Sequence, residues 1–267
     1  MSQPVRLGAV GYLNARPLVW GLDRRPDLVT VRFDVPSVCA RLLDEGEIDL
    51  GLVPSIAYLD RPGDRIVPGV CIGSDGDVAS VALFTRRAVG DVRTVALDHS
   101  SRTSVVLTKI LFARRFGAAP TFVSGPPDLG AMLAGADAAL LIGDPALLAD
   151  ARAHAATKID LGREWTAMTG LPFVWAFWAG RRDAAGPDIV DLLCEAAREG
   201  VSHADAIADA AFPGDPVRRA VGRRYLREHL RYEFTDRMAA GLVRFYSEAR
   251  ALDHVRRDGP LVFFGVG

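Results

Sequence analysis

The chain has 267 residues, 49% of them hydrophobic and 24% charged, with a formal net charge of −1. That is enough for one large domain or two small ones, each with its own core. The near-neutral balance leaves no electrostatic footprint for nucleic acid or an anionic membrane surface. Cys39, Cys71 and Cys194 are scattered with no CxxC spacing, which argues against a disulfide framework or a zinc cluster and for three small buried apolar residues.

Met1 to Val10 shows no basic region followed by an apolar run. No apolar run anywhere reaches the ~18 residues of a membrane span. The expectation is a cytosolic protein.

In chain order, short β-type apolar runs alternate with helical stretches. Strands are predicted at Val5–Val10, Val29–Phe33, Asp49–Val53, Ile66–Cys71, Ala79–Thr85, Thr94–Asp98, Thr121–Val123, Ala138–Ile142, Lys158–Leu161 and Phe173–Ala179. Between them helices are predicted at Arg16–Leu22, Ser37–Glu45, Ile56–Leu59, Thr103–Phe116, Leu129–Leu133, Ala146–Ala155 and Glu164–Met168. This alternation predicts mainly parallel sheets with helices on both faces. From about Asp188 the period turns helical, over Ile189–Glu199, Ala204–Ala211, Pro216–Leu230 and Thr235–Ala251. The long runs Ala79–Arg87 and Pro172–Gly180 read as crossings between two lobes. One lobe would comprise residues 1–87 and 176–267, and residues 88–175 would be inserted as the other. A ligand would then sit between the lobes at the carboxyl ends of the strands.

Three segments that follow strands carry the small polar residues a cleft needs. In Gly11-Tyr12-Leu13-Asn14-Ala15-Arg16-Pro17-Leu18, Asn14 is placed either to cap the next helix or to face a ligand, as is Arg16. In Asp98-His99-Ser100-Ser101-Arg102-Thr103-Ser104, a run of hydroxyls opens a helix. Free N–H groups, the helix dipole and hydroxyl donors together suit a carboxylate or phosphate. Arg102 is either a bidentate carboxylate partner or a solvated arginine. The third set is Val53-Pro54-Ser55 and Gly143-Asp144-Pro145, in which Ser55 and Asp144 are reasonable helix caps that also face the cleft. Ser80, on the first crossing, completes the surface.

Other chemistries have weaker support. The five histidines show no HExxH spacing, and neither a GxSxG elbow nor a P-loop occurs. His99 is the best lone acid–base candidate, although a lone histidine is more often structural. Trp165, Trp175 and Trp178 are either core residues or platforms for a ring.

The strings GYLNARPL, LLDEGEIDLGLVPSIAYL, DGDVASVALFT, LDHSSRTSVVLTKIL, AALLIGDPAL and DLGREWTAMTGLPFVWAFWAGR resemble the chorismate dehydratase family from about residue 5 to residue 180. The resemblance implies a two-lobed α/β fold of the type II periplasmic-binding-protein kind. It also implies dehydration of chorismate to 3-(1-carboxyvinyloxy)benzoate at the entry to futalosine-dependent menaquinone synthesis, with no cofactor. The expected partner is this small dicarboxylate, with neither nucleic acid nor membrane; a homodimer is left open. On that reading Ser101, Thr103 and Ser104 hold one carboxylate, Ser55 and Ser80 help with the other, and Asn14 orients the substrate. Arg16, Arg102, Gly143 and Asp144 complete the expected site. Two alternatives stand beside it. One is a related 1,4-dihydroxy-6-naphthoate synthase, which would carry a histidine where this chain has Gly143-Asp144-Pro145. The other is a non-catalytic module that binds a small anion.

Overall fold

The computed structural model describes residues 3–257 and 259–265. Met1 and Ser2, read above for a signal, lie outside the described residues, as do Asp258, Val266 and Gly267 of the expected first lobe. Among the described residues the strands are β1 (Val5–Val10), β2 (Val29–Asp34), β3 (Leu50–Pro54), β4 (Asp64–Ile66), β5 (Val70–Ser74), β6 (Val81–Thr85), β7 (Thr94–Asp98), β8 (Thr121–Gly125), β9 (Ala138–Ile142), β10 (Thr157–Asp160), β11 (Phe173–Arg181) and β12 (Arg231–Glu233). The α-helices are α1 (Pro36–Asp44), α2 (Thr103–Leu111), α3 (Leu129–Gly135), α4 (Gly143–Leu148), α5 (Leu161–Thr169), α6 (Pro187–Ser202), α7 (Ala204–Ala211), α8 (Pro216–Arg224) and α9 (Asp236–Ala251).

The strands make two sheets. One runs β12-β5-β11-β3-β1-β2 with β4 against β11, and the other runs β10-β6-β9-β7-β8. β3 and β9 are buried along their whole length, as expected for strands covered on both faces. β1 lies parallel to β2 and β3, and β7 lies parallel to β8 and β9. β11 is antiparallel to β3, β4 and β5, and β6 is antiparallel to β9 and β10. Both sheets are therefore mixed, where the sequence predicted mainly parallel ones. A strand that enters a sheet straight from the other lobe needs no helical crossover, so nothing forces it to run parallel.

The crossings also fall earlier than expected. β6 belongs to the second sheet and β11 to the first. The chain therefore changes lobe between Ser74 and Val81, and again between Thr169 and Phe173, rather than at 87/88 and 175/176. Ala79–Thr85 looks like one strand in sequence, but Ala79 adopts φ 63 and breaks the run. Ile66–Cys71 is likewise interrupted, at Val67-Pro68-Gly69.

Segments 13–19 and 55–60 wind as short 3-10 turns rather than α-helices. The helices expected over 103–116 and 216–230 loosen into π-type turns at Phe112–Phe116 and Tyr225–His229, a local change common near functional sites. The carboxy-terminal helices pack on the first lobe, α6 against the turn Leu13–Val19 and α9 against β11. Cys39 and Cys71 are buried and Cys194 is half-buried; burial pushes the Cys39 thiol up to about 12. Among the described residues no helix is long and apolar enough to cross a membrane.

Candidate functional site

A cavity of about 60 Å³ lies between the lobes. The first lobe contributes Val10 and Pro54 at strand ends, the loop residues Tyr12 and Asn14, and Trp175 of β11. The second contributes Ser101–Ser104 before and at the start of α2, with Ile142 and Gly143 after β9. Val78 and Ser80 enter from the first crossing. The site thus sits at the carboxyl ends of β1, β3, β7 and β9, as the topology requires. Ligand pockets usually enclose ~300 Å³ or more, so the lobes stand closed and must part to admit a substrate.

Among the described residues, Arg102 is the only lining residue that carries a full charge at neutral pH. Its side chain is exposed and forms no ion pair there. Beside it the Ser101 hydroxyl accepts the Ser104 N–H at 3.3 Å, so a hydroxyl caps the first turn of α2. The Thr103 hydroxyl reaches across the cleft, accepting the Ile56 N–H at 3.3 Å. Asn14 Oδ1 is buried with no hydrogen-bond partner, an arrangement that is costly unless a ligand supplies a donor. The lining residues therefore include one arginine, a hydroxyl-rich helix start and an asparagine with an unmet amide oxygen, which suits a small anion that also carries a hydroxyl.

Gly143 and Tyr12 depend on each other. Gly143 has φ 63, and a Cβ there would lie 2.7 Å from the Tyr12 ring, so the ring can occupy the cavity wall only over a glycine. The Tyr12 phenol lies close to the Ser100 hydroxyl, and burial holds its pKa above the usual value. Ser100 in turn donates to the fully buried Asp98 carboxylate at 2.6 Å. On the opposite side Trp175 donates its indole N–H to Ser74 Oγ at 3.1 Å.

Of the residues expected from sequence, Asn14, Ser80, Ser101, Arg102, Thr103, Ser104 and Gly143 meet in this cavity. Ser55, Arg16 and Asp144 do not line it. The buried Ser55 hydroxyl donates to Val174 O at 2.8 Å and caps nothing, because its segment is a 3-10 turn already fixed by β11. Arg16 lies outside over the exposed Phe33 ring, 4.8 Å from its centroid. Asp144 caps the first-lobe turn at Leu13 rather than its own helix. His99 is exposed and bound to Gly125 O. Trp165 and Trp178 are fully buried in the core, leaving Trp175 as the tryptophan at the cavity.

Sequence reading missed what the helical tail does. Tyr225 donates to Ser80 Oγ at 2.6 Å, Tyr232 to Asn14 O at 2.9 Å and Tyr246 to Ser55 O at 2.6 Å. The Asn14 side chain lies close to the Tyr225 phenol, and its amide oxygen is buried without a partner. Burial pushes all three phenols above the ordinary tyrosine value, so they remain neutral donors. The usable signal was scarcity. The chain has only five tyrosines, and three lie in the tail, where an amphipathic helix needs none.

The profile of a family described as menaquinone biosynthesis matches residues 5–251. The chain belongs to that family. A curated chorismate dehydratase of Thermus thermophilus is 35% identical over 225 residues, covering 78% of this chain and 82% of the relative. Among solved structures, a protein from Archaeoglobus fulgidus superposes with a TM-score of 0.74 at 17% identity, covering 95% of this chain and 99% of its own. The alkanesulfonate-binding protein of Xanthomonas axonopodis pv. citri bound to MOPS does so with 0.68 at 17% identity, covering 96% and 95%. At such identity these neighbours establish the fold, that of the periplasmic binding proteins, which this member of the menaquinone family shares.

Proposed function

We propose that this chain is a chorismate dehydratase, a cytoplasmic hydro-lyase that needs no cofactor and opens the futalosine route to menaquinone. The observation that carries the reading is the closed cavity itself. Arg102, with an exposed side chain, lines it beside the Ser101–Ser104 hydroxyls, and Asn14, whose amide oxygen is buried and unmet, lines it from the other lobe.

Chorismate is a dianion with a ring carboxylate, an enol-ether carboxylate and a ring hydroxyl. One carboxylate would lie against Arg102, the Ser101 and Ser104 hydroxyls and the N–H groups of the α2 first turn. Ser80, held by Tyr225, would meet the other. The hydrogen on the ring carbon bearing the enol ether is acidic, because charge left there spreads toward the ring carboxylate. When that C–H bond breaks, its electron pair forms a new ring double bond. The neighbouring C–O bond then releases hydroxide, which leaves as water on gaining the proton. The product ring is aromatic, so most of the driving force comes from the substrate. The protein's task is to fix the dianion, exclude water and stabilise developing charge. Asn14 Oδ1 would accept the hydrogen bond of the departing hydroxyl and hold it in line. An amide is a poor base, so the proton passes to a substrate carboxylate or a bound water.

Arg102 and the hydroxyls favour this reaction over that of a related enzyme with a histidine base, since no histidine is among the residues around the cavity. The test is ultraviolet monitoring of chorismate with purified protein. Growth of a benzoate chromophore supports the dehydratase. Saturable binding with no spectral change would overturn it in favour of an anion-binding module.

A further inference from the structure

We propose that Asp160, which does not line the cavity, is a positioning residue: its carboxylate clamps the first crossing in the conformation that aims Ser80 at the substrate. The case begins with the backbone. Ala79 has φ 63, a left-handed conformation that a residue with a Cβ rarely holds unless its surroundings impose it. Its neighbours Val78 and Ser80 both line the cavity.

What imposes it is a single carboxylate. Asp160 accepts the Ala79 N–H at 2.6 Å and the Val78 N–H at 3.1 Å. The same group caps α5, accepting the Gly162 N–H at 2.9 Å and the Arg163 N–H at 3.1 Å. Four backbone donors therefore converge on one side chain at the end of β10. The close approach is built in. A Cβ at Gly162 would lie 2.6 Å from the Gly76 carbonyl, so only glycine lets the start of α5 lie against the crossing. Thr166, one turn further on, accepts the Gly76 N–H at 3.1 Å.

The consequence falls on Ser80. With Ala79 held left-handed, Ser80 Oγ faces Tyr225 Oη at 2.6 Å, and Tyr225 in turn meets the Asn14 amide. The clasp thus orders a chain from Asp160 through the Ala79 backbone to Ser80 and Tyr225. A relaxed Ala79 would swing Ser80 away from Tyr225. Capping α5 needs only the Gly162 and Arg163 contacts; the two bonds to the crossing are the surplus that marks a second role.

The kinetic part of the test rests on the dehydratase reading, and the structural part does not. Asp160→Asn keeps the size of the side chain and an oxygen for the Gly162 and Arg163 N–H groups, but turns its amide NH2 toward the Ala79 N–H. Its crystal structure should show Ala79 at negative φ with Ser80 off Tyr225; an unchanged Ala79 would overturn the proposal whatever the enzyme's substrate. With chorismate, kcat should fall about a hundredfold while KM changes little. Adding Ala79→Gly, which holds a left-handed φ unaided, should recover most of kcat. Loss of kcat that glycine does not recover would reduce Asp160 to a helix cap and overturn the proposal. Should Asp160→Asn not fold, Gly162→Ala strains the same clasp with the carboxylate intact. It should lose kcat likewise, and wild-type kcat there would also overturn the idea. If the wild-type protein does not turn chorismate over, the reaction assignment fails and the Ala79 coordinates alone decide the clasp.

Discussion

The Asp144 carboxylate, carried by the first turn of α4 in the second lobe, accepts the Leu13 backbone N–H of the first lobe at 3.0 Å. Like the Thr103–Ile56 bond it is a polar latch across the cleft, and such latches must open for a substrate to enter. Burial raises the Asp144 pKa, and the Leu13 N–H and the Arg16 charge pull it partly back. Its folded pKa therefore lies above the ordinary carboxylate value of about 3.9. Its contribution to stability is full below that value and is lost as pH rises through the raised one. Asp144→Asn keeps an acceptor for Leu13 and does not ionise. Relative to wild type, its Tm should rise as pH goes from about 4 to about 7. Asp144→Ala should lose about 1 kcal/mol at about pH 4, and less as pH rises and the wild type gives up the Asp144 contribution. Thermal melts at stepped pH decide it, and a wild type that pulls ahead of Asp144→Asn with rising pH would contradict the assignment.

Gly143→Ala tests the contact between the loop after β9 and Tyr12. The new Cβ must displace the ring, and φ 63 is unfavourable for alanine, so the expected cost is about 1–3 kcal/mol. Denaturant melts should read that loss, and kcat/KM should fall with it because the ring forms the cavity wall. A silent substitution would mean that the two loops separate freely.

Tyr225→Phe removes the donor to Ser80 without changing shape. Leaving Ser80 Oγ unpaired at a buried site should cost about 1–3 kcal/mol. The Tyr225 phenol titrates above the ordinary value, so its contribution is full below about pH 10 and lost only above it. The activity profile of the wild type should therefore show no decline from this group near neutrality. A loss that titrates between pH 6 and pH 9, absent in Tyr225→Phe, would refute this assignment.

Arg102→Ala removes the one cation at the cavity. A charge-assisted hydrogen bond of about 1.5–3 kcal/mol corresponds to a rise in KM of about tenfold or more, with a smaller change in kcat. Raising ionic strength should weaken substrate binding to the wild type and leave the variant nearly indifferent. Equal salt dependence in both would place the guanidinium away from the substrate.

Strand–helix alternation, the two lobes and the strand-end loops were all legible in the sequence, because buried apolar runs and capping residues act locally. The direction of β6 and β11 was not, since antiparallel entry from another lobe leaves no mark on a strand's own residues. The break at Ala79 was invisible because alanine gives no warning of a left-handed φ, which is imposed by contacts from Asp160, 81 residues away. Of the expected site residues, the run Ser101–Ser104 at a true helix start met in the cavity as a unit. Ser55 and Asp144 were read as caps of helices that close differently. The three tyrosines lay in a tail whose helical period gave no reason to connect it to the cleft.

Asn14 carries the sharpest expectation. Its backbone carbonyl is anchored on Tyr232 while Oδ1 stays unmet. A group unpaired before substrate arrives gains its hydrogen bond only in the complex, where it orients the ring hydroxyl for departure. Asn14→Ala should therefore lower kcat about a hundredfold, as loss of a contact that orients the reacting groups does, with chorismate binding by calorimetry little changed. Asn14→Asp keeps the shape but brings a negative charge to a dianion, so it should lose binding as well as turnover. If Asn14→Ala forms product at the wild-type rate, the unmet oxygen takes no part in the chemistry, and the departing hydroxyl must be held from Ser80 or from water instead.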